Sequence, residues 1–128
     1  GPKDLENKTV ELARRDTLTK ENVAMDDLVS MVKNLMTEIQ DALFKKALDF
    51  RNSHITEVHT FDEFKHILEN KTGFVSAHWD GTPETEQTIK ELTKATIRCI
   101  PFDAKNEAGI CVYSGKPSSK RVLFARAY

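Results

Sequence analysis

GFVSAHWDGTPETEQTIKELTKATIRCIPF, Gly73–Phe102, is the stretch on which the fold turns. Gly73 to Trp79 reads as a strand with apolar Phe74, Val75 and Ala77. Thr82-Pro83-Glu84-Thr85 opens a helix, because proline is tolerated in a first turn. Ile89 and Leu92 are its expected core contacts, and Thr96 to Phe102 is a second strand. Strand, helix, strand predicts a crossover unit with parallel strands and a right-handed connection.

Downstream, Ile110–Tyr113 and Arg121–Ala127 are expected to pair as a terminal hairpin around Ser114–Lys120. Upstream, Ile55–Val58 reads as a brief extended segment. Thr60 stands three residues before Glu63, the spacing of a capping box, so a helix follows with Phe61, Phe64, Ile67 and Leu68 turned inward.

Earlier still, Leu28, Val32, Leu35, Ile39, Leu43, Ala47 and Phe50 recur at helical spacing from Asp26 to Asn52 without glycine or proline. At 1.5 Å per residue this helix reaches roughly 40 Å. Met31, Met36 and Phe44 widen its apolar face beyond a coiled-coil seam, which favours a connecting helix over a dimerising one. Thr9–Arg14 alternates as a half-buried strand, preceded by a turn-like polar run and followed by a charged link. No partner strand is evident nearby, so the chain is expected to begin inside a domain. The expected organisation is therefore α+β. Residues 1–25 close one domain, 26–53 form the connecting helix and 54–128 form a small second domain.

Composition narrows the function. The 128 residues are 39% hydrophobic and 30% charged, a globular mixture with formal net charge −1. Nucleic-acid contact would need local patches. No stretch approaches the roughly 20 apolar residues of a membrane span. Cys99 and Cys111 are too few for a disulfide framework, so reduced, cytoplasmic thiols are expected, with a Cys99–Cys111 bridge as the alternative.

Few residues suggest chemistry. His54, His59, His66 and His78 lack metalloprotease spacing, although His78-Trp79-Asp80 ends a strand, where sites often lie. Gly109-Ile-Cys-Val-Tyr-Ser-Gly-Lys-Pro117 is no P-loop: its glycines are one residue too far apart, and Pro117 stands where a hydroxyl should hold magnesium. Cys99, Cys111 and His78 could supply three zinc ligands, but Cys99 reads as a buried strand thiol. From Ala108 to Tyr128 there is no acid, while Lys116, Lys120, Arg121 and Arg126 are basic. That tail reads as a solvated face or a weak phosphate contact.

Together, GPKDLENKTVELARRDT, MVKNLMTEIQDALFKKA, TIRCIPF and the closing GICVYSGKPSSKRVLFARAY resemble the C-terminal region of a prolyl-tRNA synthetase of the archaeal and eukaryotic-like type. The resemblance implies the end of an anticodon-binding domain, a connecting helix and the family's C-terminal domain. In zinc-bearing relatives four cysteines would occupy the positions of Asp80, Thr85, Cys111 and Ser114, where one thiol remains here. The resemblance therefore implies a degenerate zinc site without metal, bridged by Asp80, Thr85 and Ser114. Trp79, Phe102 and Phe124 are expected to supply the packing.

The same resemblance implies a full-length enzyme that activates proline with ATP and magnesium and transfers it to the tRNA for proline. A class II catalytic domain would precede this segment, which would not catalyse alone and would hold no cofactor. Lys3, Arg14 and Arg15 are the implied tRNA contacts. Arg126 and the carboxylate of Tyr128 are implied to face the catalytic domain. A homodimer in the cytoplasm, away from membranes, is the implied setting. Setting the resemblance aside leaves a non-enzymatic α+β interaction module with a dimerising helix.

Overall fold

In the computed structural model, residues 1–127 are described and form two units, Gly1–Asp49 and a second from Phe50 onward. The chain is α+β, with a small mixed sheet in the second unit.

The first unit opens with a short helix, α1 (Pro2–Glu6), where a polar turn is expected from the sequence. Strand β1 (Thr9–Ala13) is not alone: it pairs antiparallel with β2 (Lys20–Ala24), in register from Thr9↔Ala24 to Ala13↔Lys20. The residues read as a charged link thus supply the partner. Only Val23 of β2 is buried, so the apolar alternation that betrays a strand is missing there. A 3-10 turn (Met25–Asp27) leads into α2 (Leu28–Ser53), the long helix expected from the apolar spacing.

In the second unit the sheet runs β3-β4-β8-β5, with β3 (Ile55–Glu57), β4 (Phe74–His78), β5 (Ala95–Cys99) and β8 (Arg121–Arg126). Helix α3 (Phe61–Asn70) connects β3 to its parallel neighbour β4. The capping box that starts it is formed: Glu63 N–H donates to Thr60 Oγ1 at 3.2 Å, and the Glu63 carboxylate accepts from Thr60 N–H at 3.2 Å. Gly73 precedes β4 at φ +118°, and a Cβ there would meet His54 O at 2.2 Å.

Helix α4 (Pro83–Thr93) connects β4 to β5, with Pro83 in its first turn. These strands run parallel, as expected, but they are not neighbours. β8 lies between them, antiparallel to both. The terminal hairpin is accordingly different from the expected one. Two short strands, β6 (Gly109–Ile110) and β7 (Pro117–Ser118), pair with each other, and β8 is central in the main sheet. Its alternation of Val122, Phe124 and Arg126 serves a strand with ladders on both edges.

Val58, Phe64, Val75, Ala77, Ile89, Ala95, Val112, Val122 and Phe124 form the core, with Trp79 partly buried against it. Phe102 is fully exposed on the loop after β5 and takes no part in that packing, and Leu92 is 59% exposed on α4. Cys99 is exposed too: a bulge between Ile97 and Cys99 on edge strand β5 breaks the phase that would have buried it.

Candidate functional site

Asp80 lies two residues past the end of β4 and two before Thr82, the residue that caps α4. Its Oδ1 accepts from Thr82 N–H at 3.1 Å and from Thr82 Oγ1 at 2.8 Å. Its Oδ2 accepts from Thr85 Oγ1 at 2.9 Å and from Ser114 Oγ at 2.6 Å. Ser114 lies in the turn linking β6 to β7, which closes through Cys111 N–H to Lys116 O and Gly115 N–H to Cys111 O. Burial alone would push the Asp80 carboxyl up, but the bonds from Ser114, Thr82 and Thr85 outweigh it and hold the group at about 2.

Three of the four positions named for a zinc site thus meet in one hydrogen-bonded knot. The fourth, Cys111, is buried in the same turn. This donor set does not suit zinc, which prefers thiolates and imidazoles: it offers one thiol, two hydroxyls and a carboxylate whose oxygens both already accept hydrogens. The alternative trio of His78, Cys99 and Cys111 does not assemble. Among the described residues no group of three or more His, Cys, Asp or Glu side chains could hold a metal ion. Cys99 and Cys111 are both free thiols.

His78 is buried and held from both sides, with Nδ1 3.1 Å from Ser118 Oγ and Nε2 3.3 Å from Glu107 Oε1. Gly109 lies against the ring, where a Cβ would come within 2.2 Å of Nε2. Glu107 also accepts from Arg121 Nε at 2.8 Å. Arg121 donates further to Val58 O at 3.0 Å, to Ser76 O at 3.1 Å and to His59 Nδ1 at 3.0 Å. Sequence reasoning counted Arg121 among free basic residues. Its position opposite His78 on a central strand makes it a cross-link between β3, β4, β8 and the loop before β6.

The proposed RNA contacts separate in the same way. Arg14 is engaged by Asp16, with Nη2 2.8 Å from Oδ2, and by Glu38 at 3.1 Å. The hydrogen bond to Asp16 raises the guanidinium above its ordinary value, and Arg14 holds Asp16 below its own. Lys3 on α1 and Arg15 in the β1–β2 turn are exposed, without an acidic side-chain partner among the described residues. Arg126 donates to Thr93 O at 2.7 Å and to Leu68 O at 3.3 Å, so it caps the C-terminal ends of α4 and α3. Tyr128 lies outside the described residues. No helix among them is long and apolar enough to cross a membrane.

Two family sequence models match the chain: "Prolyl-tRNA synthetase, C-terminal" over residues 61–128 and "Anticodon binding domain" over residues 1–35. The whole chain is 68% identical to a proline–tRNA ligase of Christiangramia forsetii, 66% to one of Flavobacterium johnsoniae and 62% to one of Flavobacterium psychrophilum. It spans 26% of the length of each of these relatives.

Proposed function

The chain belongs to the prolyl-tRNA synthetase C-terminal family, and on that premise we propose that it serves as the terminal segment of an enzyme that joins proline to its tRNA with ATP. The observation that carries this is identity of 68% over all 128 residues, continuous from the anticodon-matching hairpin through β8. The interaction-module alternative gives no reason for such continuity.

In this reading the chemistry, with ATP and magnesium, belongs to a class II catalytic domain outside this chain. The enzyme is a cytoplasmic homodimer. The segment contributes support and RNA contact. Lys3 and Arg15 approach the tRNA, which is supported by their exposure and lack of acidic partners. Arg14 shapes the hairpin that presents Arg15, since its own charge is taken up by Asp16 and Glu38. The Asp80 knot takes the structural role of a metal, because its hydroxyls and carboxylate satisfy one another. Arg126 anchors the last strand to two helix ends.

The test is aminoacylation by the full-length protein, intact and with residues 61–128 deleted. Proline should be charged onto its tRNA by the intact protein, with a large fall in kcat/KM on deletion. Failure of the intact protein to charge proline, or full activity after deletion, would reject the reading.

A further inference from the structure

Asp80 is followed by Gly81, and of the chain's five glycines only this one stands after an aspartate or asparagine. An aspartyl side chain closes most readily on its own backbone before glycine, because no side chain crowds the approach. Gly81 is exposed at φ +82°, and a Cβ built there would meet nothing within 4 Å. Among the described residues its N–H donates to no carbonyl in the turns and loops. The nucleophile for ring closure is therefore free, whereas the carboxyl carbon it would attack is held. Both Asp80 oxygens are tied, Oδ1 to Thr82 N–H and Oγ1, and Oδ2 to Thr85 Oγ1 and Ser114 Oγ. Three of these donors lie after Gly81 at the start of α4. The fourth reaches across from the turn between β6 and β7. Together they fix the carboxylate on residues 82, 85 and 114 and keep it from turning onto the Gly81 nitrogen.

We propose that Asp80 is a latent modification site, which rearranges to isoaspartate when the knot opens locally, and that the bonds from Ser114 and Thr85 guard it. In the first step the Gly81 nitrogen bonds to Asp80 Cγ and gives up its proton. One carboxyl oxygen leaves as water, carrying that proton and a second from solvent, and a five-membered succinimide remains. In the second step water adds to a ring carbonyl and a C–N bond breaks. Cleavage at Cγ restores aspartate. Cleavage at the α-carbonyl leaves the chain running through the side-chain carbon, and the only co-reactant is water. The product lengthens the link from β4 to α4 by one methylene and displaces the carboxylate that Thr82, Thr85 and Ser114 bind. The lobe then loses a tie that it cannot remake, so an opening of the β6–β7 turn is recorded in the covalent chain. This chemistry is independent of the ligase reading.

The experiment holds wild type, Ser114→Ala, Thr85→Ala and Arg126→Ala as folded chains at neutral pH in water enriched in oxygen-18, beside wild type unfolded in urea. Peptide mass spectrometry reads heavy oxygen and isoaspartate at residue 80, and circular dichroism checks each fold. Folded wild type should isomerise far more slowly than the unfolded chain. Removing one bond to the charged acceptor, in Ser114→Ala or Thr85→Ala, should raise the folded rate about tenfold. Arg126→Ala loosens helix ends away from Asp80, so its rate should stay at the wild-type value despite a lower Tm. Equal rates in folded and unfolded wild type would overturn the proposal, even if the variants failed to fold. Rates no faster than wild type in both Ser114→Ala and Thr85→Ala would do the same. So would an Arg126→Ala rate equal to that of Ser114→Ala, because global unfolding rather than local opening would then govern the reaction.

Discussion

Ser114 Oγ donates to Asp80 Oδ2 at 2.6 Å, joining the turn between β6 and β7 to the end of β4 across 34 residues of chain. The same carboxylate accepts from Thr82 and Thr85, so one side chain ties β4, α4 and the turn together. Hydrogen bonds to a charged acceptor contribute about 1.5–3 kcal/mol each in a dry setting, and partial exposure lowers that. Asp80→Asn would set an amide N–H₂ against donors. It should cost about 2 kcal/mol, and Ser114→Ala about 1 kcal/mol. Urea unfolding gives both, as a lower midpoint at unchanged slope. A wild-type midpoint for Asp80→Asn would remove the knot from the account of stability.

The same group sets an acid dependence. The Asp80 carboxyl is lowered from 3.8 to about 2 in the folded chain. A depressed folded value means that its stabilisation is complete above the unfolded value and fades as pH falls through the folded one. Between about pH 4 and pH 2, wild type should therefore lose stability that Asp80→Asn never had, and their melting curves should converge. Because the donor set does not suit zinc, a strong chelator should leave the wild-type Tm unchanged at pH 7. A chelator-induced fall would restore a metal to this lobe.

Much of this was legible in the sequence where local chemistry decides structure. Thr60 and Glu63 announced their own cap, and the spacing of Leu28, Leu35 and Ile39 announced α2. Thr85 and Ser114 were brought to Asp80 only by the resemblance to zinc-bearing relatives. What escaped was pairing at long range. Arg121–Arg126 reads equally well as a hairpin arm or a central strand, and only the two open edges of β4 and β5 decide between them. Lys20–Ala24 escaped because a strand with one buried residue carries no alternation. The environments of Arg121 and Arg126 were also illegible, because their partners lie up to 63 residues away in sequence. Charge counting therefore treated both as free.

Gly109 tests the packing around His78. A Cβ there would lie 2.2 Å from Nε2 of a ring already fixed by Ser118 and Glu107. Overpacking of this kind costs about 1–3 kcal/mol. Gly109→Ala should destabilise by about that amount, and His78→Ala should relieve part of it, so that the double variant is more stable than the sum of the single losses predicts. Strict additivity in denaturant unfolding would show that the ring is not what Gly109 accommodates.

Arg126 bridges Thr93 O and Leu68 O, the C-terminal carbonyls of two helices. Arg126→Ala should cost about 1–2 kcal/mol. Arg126→Lys should recover only part of this, because a single ammonium lacks the guanidinium's fork. Full rescue by lysine, measured as Tm, would reduce Arg126 to a point charge.

The RNA contacts divide by partner. Each lysine or arginine that neutralises a phosphate contributes about 0.7–0.9 to the slope of log affinity against log salt. Lys3→Ala and Arg15→Ala in the full-length protein should each weaken tRNA binding and flatten that slope by about this amount. Arg14→Ala should leave the slope unchanged, since Asp16 and Glu38 already neutralise its guanidinium. It should instead loosen the β1–β2 turn, which hydrogen exchange of Lys20–Ala24 would report. Salt slopes that fall equally for all three variants would mean that Arg14 leaves its acids to meet the RNA. Slopes unchanged in all three would place the tRNA elsewhere on the protein.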